Sequence, residues 1–125
     1  MKRLISYSRG RLSAFGYAFR GAYDLLRNHA PSKIHMAAFV TMIGLSWGLD
    51  FPLWKWVVVL LCSGMVLAAE ALNTAVEYVV DLVSPEYNIL AGKAKDVAAG
   101  AVLFTAVFSG IIALLLVYDS MWGGG

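Results

Sequence analysis

From Arg9 to Asn28 apolar residues recur at Leu12, Phe15, Phe19, Ala22, Tyr23 and Leu26, the spacing of one face of an α-helix. Arg9, Arg11, Ser13, Arg20, Asp24 and Arg27 fall on the other faces, so residues 9–28 read as an amphipathic helix lying at an interface. Beyond this segment the stripe gives way to unbroken apolar runs. Met36 to Leu49, Trp56 to Ala69 and Val97 to Tyr118 contain no Asp, Glu, Lys or Arg. The third run is long enough to cross a hydrocarbon core of about 30 Å as a helix. The first reaches that length by taking in Ile34 and His35. The second does so by starting at Phe51, with Lys55 snorkelling to the interface among Trp54 and Trp56. The pattern predicts spans over about 34–49, 51–83 and 94–119, with Pro31 marking the turn into the first and Ser32 as its cap.

Composition supports the same reading: 60% of the residues are hydrophobic and 14% are charged, against about 25% charged in an average soluble domain. A soluble helical bundle of this composition would have little to turn toward water. The expected fold class is therefore all-α integral membrane: an N-terminal surface helix and three transmembrane helices, forming one domain over residues 1–125. Lys2, Arg3, Arg9, Arg11, Arg20, Arg27 and Lys33 precede the first run, and Lys93 and Lys95 lie between the second and third. By the positive-inside rule the N-terminal segment and residues 84–96 are cytoplasmic, which implies a multi-pass membrane protein with its N-terminus in the cytoplasm. No secretory signal is expected, because the first apolar run lies far from the start and no small-residue cleavage pattern follows it.

Cys62 is the single cysteine, which excludes an internal disulfide and a cysteine-based metal site. The sequence pI of about 8.8 reflects the cytoplasmic basic excess, which suits anionic membrane lipids, and no nucleic-acid partner is expected. Gly44 and Gly48 form a GxxxG, and Ala94, Ala98, Ala101, Thr105 and Ser109 follow one face of the third span; such small residues let helix backbones approach closely.

The polar positions that interrupt the second span carry the chemistry. Glu70, Asn73, Thr74, Glu77 and Asp81 fall at steps of three and four, on one helix face, with the two glutamates about 10 Å apart along the axis. Ionisable groups at this depth cost roughly 2.5 kcal/mol or more at mid-membrane, which makes them functional candidates. Two carboxylates with an amide and a hydroxyl between them suit a hard cation and proton abstraction, and an ion pathway would use the same groups. Because three helices enclose such groups poorly, a homo-oligomer that shields them is expected. The segment after the stripe, Ser84, Pro85, Glu86, Tyr87 and then Gly92 to Asp96, adds cations and a carboxylate on the side where ATP is found. Phosphoryl transfer needs such groups, although neither a Walker A loop nor a kinase glycine-rich loop occurs.

The run EALNTAVEYVVDLVSPEYNILAGKAKDVAAGAVL, residues 70–103, closely resembles the signature of the small prokaryotic membrane lipid kinases, the diacylglycerol kinase and undecaprenol kinase family. The pattern E-x-x-N-[ST]-A-x-E followed by A-K-D carries the match, and FGYAFRGAYDLLRN resembles the family's surface helix. The resemblance implies a homotrimer with active sites at subunit interfaces, ATP and Mg²⁺ as cofactors, and a lipid alcohol as substrate. It makes Glu70 the general base and Asn73 its polar partner, and Glu77 a ligand of the magnesium that accompanies ATP. Glu86, Tyr87, Asn88, Lys95 and Asp96 take the nucleotide-binding positions, while Tyr17 and Arg20 fall where the family closes over its substrates.

One departure is informative. Many family members place a second metal-binding glutamate in a segment like E-x-N-x-R-I-H, where this chain has His29 at the first position and His35 at the last. By this position His29 is the second candidate metal residue beside Glu77, although imidazole is a poor ligand for Mg²⁺. Three alternatives stay open for His29: water completes the metal shell in its place, it contacts phosphate directly, or the activity is weakened. On the metal-ligand reading alone, His29→Glu should strengthen magnesium dependence or rate. Asn73-Thr74 and the segment Ala99 to Leu103 look more like undecaprenol-type members, so the expected reaction is undecaprenol to undecaprenyl phosphate, with diacylglycerol to phosphatidic acid as the alternative. A non-enzymatic ion-conducting or structural oligomer is the third reading.

Overall fold

The computed structural model describes the backbone of residues 2–123 and the side chains of residues 13–123. Four helices follow one another: α1 (Lys2–Asn28), α2 (Ala30–Gly48), α3 (Leu53–Val83) and α4 (Ile89–Trp122). The all-helical expectation holds, with three boundaries moved. α1 begins well before residue 9. α2 begins at Ala30 rather than beyond Pro31, because proline is tolerated in a first turn, where its missing N–H costs nothing. Ser32 is consequently not a cap but a fully buried first-turn residue, and the cap position belongs to His29, in extended conformation at φ −111°, ψ 116°. α4 starts at Ile89 because Asn88 caps it, its Oδ1 accepting from the amides of Leu90 at 2.8 Å and Ala91 at 3.2 Å.

α3 and α4 form the main helix pair, α2 packs on α3, and α1 meets α2 and, less extensively, α3. The bend between α2 and α3 is a tight turn in which Asp50 adopts φ 48°, a left-handed conformation that aspartate tolerates, and Pro52 opens α3. Phe51, Val59 and Leu116 form the core, bordered by Met42, Leu49, Trp56 and Ile112. α1 contributes Leu25, buried beside the apolar stripe read from the sequence, while the stripe residues Phe15, Phe19 and Tyr23 stay exposed.

α3 and α4 are long and apolar enough to cross a membrane, and only 22% and 6% of their most apolar stretches are buried. A soluble core helix would be mostly buried; large side chains such as Leu103, Phe104, Phe108 and Leu114 instead face outward. That surface fits a membrane protein. α2 does not reach the same measure of length and apolarity.

Two packing expectations are corrected. Lys55 does not snorkel into an open interface: it is 3% exposed, its ammonium 2.7 Å from the Asp119 carboxylate and 3.2 Å from the Leu116 carbonyl, so its partners come from α4 rather than from water. Nor do Gly44 and Gly48 admit a neighbouring backbone within the chain, since a Cβ at either would meet nothing within 4 Å. On α4 the inward face includes Ala98, Thr105 and Ser109 as expected, whereas Ala94 and Ala101 are exposed.

Candidate active site

The buried stripe of α3 runs Lys55, Val59, Val66, Glu70 and Thr74, with Asn73 and Glu77 half-buried beside it. The acidic positions are thus the continuation of the packing face, and one helical repeat places apolar core at one end and carboxylates at the other. Glu70 is 3% exposed. α2 lies across it, bringing the His35 Nε2 to 3.8 Å from the Glu70 Oε2. This covering exists within a single chain, so shielding of Glu70 does not by itself call for a partner subunit. His35, the last position of the segment that begins at His29, is the imidazole that faces the buried carboxylate.

One turn on, the Asn73 amide donates to the Glu77 Oε1 at 3.2 Å, while the Asn73 Oδ1 is buried with no hydrogen-bond partner. An unpartnered buried carbonyl costs about 1–3 kcal/mol, so this oxygen is free to accept from a ligand at the expense of stability. Glu77 offers a carboxylate for a divalent cation. Among the described residues no group of three or more His, Cys, Asp and Glu could hold a metal. Mg²⁺ differs from zinc in needing only one or two carboxylates, completed by phosphate oxygens and water, so Glu77 fits it.

His29 fits less well. Its Nε2 lies 2.8 Å from the Tyr78 hydroxyl, the two rings meet edge-on at 5.8 Å, and the same hydroxyl donates to the Asp24 Oδ2 at 2.8 Å. Asn28 donates to the other Asp24 oxygen. These bonds from Tyr78 and Asn28 hold the Asp24 carboxyl below the usual carboxylate range. Neither Tyr78 nor Asp24 stood out in the sequence, although Tyr78 lies four positions after Thr74, on the same face of α3.

On the far side of the stripe, Lys95 pairs with Asp81, bridging the end of α3 and the start of α4. Asp81, Ser84, Glu86, Tyr87, Asn88 and Lys95 line a cleft of about 280 Å³. Glu86 and Tyr87 are exposed there, while Asp96 is exposed on α4 outside this lining. The Asn88 Oδ1 is committed to its cap, leaving the amide nitrogen for other partners. Tyr17 and Arg20 are exposed on α1, the Arg20 guanidinium 5.6 Å above the Tyr17 ring. Among the described residues no hydrogen bond or ion pair joins Tyr17, Arg20, Glu86, Tyr87 or Asp96 to the Glu70 and Glu77 carboxylates.

Comparison with known proteins bears on the same stretch of chain. The family model described as prokaryotic diacylglycerol kinase matches residues 16–117. The chain is 36% identical over 103 residues to undecaprenol kinase of Bacillus subtilis, covering 82% of this chain and 84% of that protein. It is 29% identical over 108 residues to diacylglycerol kinase of Escherichia coli K12, covering 86% and 88%. A diacylglycerol kinase of Synechocystis is 38% identical over 102 residues, 81% of this chain and 58% of that protein.

Proposed function

The chain belongs to the prokaryotic diacylglycerol kinase family, and on that premise we propose that it transfers the γ-phosphate of ATP to the hydroxyl of a membrane lipid. Undecaprenol is the preferred acceptor and diacylglycerol the alternative; the similarity to a relative named undecaprenol kinase supports that order. The observation that carries the reading is the stripe itself: a buried carboxylate, Glu70, one turn from an amide and two turns from a second carboxylate, Glu77, on one helix.

In this reading α2 is a third span beside α3 and α4, α1 lies amphipathically at the cytoplasmic surface, and residues 1–125 form one domain that assembles as a homotrimer in the inner membrane. Glu70 accepts the proton of the lipid hydroxyl as its oxygen attacks the γ-phosphorus, and the bond to the bridging oxygen of ADP breaks. Asn73 orients the Glu77 carboxylate and offers its free Oδ1 to the substrate side. Glu77, with phosphate oxygens and water, is the position for Mg²⁺, which when bound neutralises charge on the phosphates. His29 is left out of the metal set, because its Nε2 is engaged by Tyr78. Lys95 turns from Asp81 to the phosphates, Tyr17 and Arg20 close over the nucleotide, and Glu86, Tyr87, Asn88 and Asp96 hold its nucleoside end.

The test is transfer of labelled γ-phosphate from MgATP to undecaprenol and to diacylglycerol in mixed micelles. Transfer to undecaprenol in preference to diacylglycerol is expected. Absence of transfer to either lipid would sink the kinase reading and leave a non-enzymatic membrane oligomer.

A further inference from the structure

The corner between α1 and α2 is a single residue. His29 alone separates two helices, and its side chain and that of Asp24, five residues earlier, converge on one hydroxyl of α3, that of Tyr78. A tyrosine has one hydroxyl proton, and the geometry gives it to the Asp24 carboxylate, which as an anion can only accept. The group at position 29 must therefore donate. An imidazole carrying its proton on Nε2 does so; a carboxylate cannot.

The face of α1 fixed by this contact also carries Tyr17 and Arg20, which the proposed function assigns to the nucleotide. At 100° per residue, Tyr17, Arg20 and Asp24 fall within about 60° of one another around the helix, so tying down Asp24 sets the direction in which the other two point. At the α3 end, Tyr78 directly follows Glu77. Resting on the lipid-kinase reading above, we propose that Tyr78, His29 and Asp24 form a hydrogen-bonded strap that positions α1 over the triphosphate. His29 is then a donor in that strap and not a weakened metal ligand. Tyr78 and His29 are positioning residues: neither touches the reacting atoms.

Tyr78→Phe keeps the ring contact and removes the shared hydroxyl. It should raise KM for MgATP roughly tenfold, while kcat and KM for the lipid stay within about twofold, since the lipid side at Glu70 and His35 is untouched. His29→Gln, which retains an N–H donor, should stay near wild type. His29→Glu should raise KM for MgATP as Tyr78→Phe does, opposite to the outcome for a restored metal ligand. An unchanged KM for MgATP in Tyr78→Phe, or a His29→Glu variant that gains rate or magnesium affinity, overturns the strap. Amide hydrogen exchange of residues 13–28 without nucleotide reads the contact independently of turnover: faster exchange in Tyr78→Phe supports it and unchanged exchange overturns it. If wild-type protein phosphorylates no lipid, the kinase reading fails by itself, and exchange still decides whether the strap exists.

Discussion

The two ends of the α3–α4 pair handle charge in opposite ways. At one end Lys55 is buried and fully engaged, by the Asp119 carboxylate at 2.7 Å, the Leu116 carbonyl and the Ser120 hydroxyl, with the rings of Phe51 and Trp54 5.1 and 5.5 Å away. Every donor has an acceptor and the apolar core lies against it. At the other end Glu70 faces an imidazole at 3.8 Å, beyond hydrogen-bond distance, the Asn73 Oδ1 and Ser32 Oγ are buried without partners, and Lys95 is shared with a carboxylate 64% exposed. The closed end spends its polar groups on holding helices together. The open end leaves the Asn73 and Ser32 oxygens unpartnered, which costs stability and, in the proposed function, keeps Glu70 and Asn73 available to a substrate.

Substitutions at the two ends should therefore separate activity from stability. The largest effect is expected from Glu70→Gln, which preserves shape and removes the proton acceptor: kcat should fall by about a thousandfold in the micelle assay while assembly and thermal unfolding stay near wild type. Full activity would place the base elsewhere. Asn73→Ala removes a hydrogen bond to a charged carboxylate, worth about 1.5–3 kcal/mol, and should lower kcat/KM for MgATP by roughly ten- to a hundredfold. Because it also removes the unpartnered oxygen, its thermal midpoint should not fall.

At the closed end the order reverses. Asp119→Ala leaves a buried ammonium with two neutral acceptors. Discounted for the solvent exposure of Asp119, the cost should be about 1–2 kcal/mol in detergent unfolding, with kcat of the folded protein unchanged. A loss of activity without a loss of stability would break the division between the ends. The smallest effect belongs to Asp81→Asn. Its ion pair with Lys95 is open to solvent, so stability should change by less than about 0.5 kcal/mol, and KM for MgATP should not rise, since the substitution frees Lys95.

The positions of Glu70, Asn73, Thr74 and Glu77 on one face needed only their spacing, because a helix repeats every 3.6 residues whatever surrounds it. The same holds for the apolar runs and for the family signature between residues 70 and 103. Helix ends were less legible. Asn88 was read as a nucleotide-side residue, and its capping role escaped because a cap is recognised by the amides it accepts, not by its identity alone. The one-residue corner at His29 escaped for a similar reason: Pro31 signals a turn or a first helical turn equally well.

What the sequence by itself determined about this protein is the chemistry along each helix: which residues share a face, which segments are apolar, and which carboxylates stand at their edge. Only the tertiary structure decided who meets whom across helices. Tyr78 is 49 positions from His29 and 54 from Asp24, and Lys55 is 65 from Ser120. Such pairs depend on the rotation and register with which helices pack, and a periodic apolar face tolerates several of these. The one adopted here set the Tyr78 hydroxyl 2.8 Å from the His29 Nε2, giving a residue that the sequence offered as a metal candidate a hydrogen-bond partner on α3.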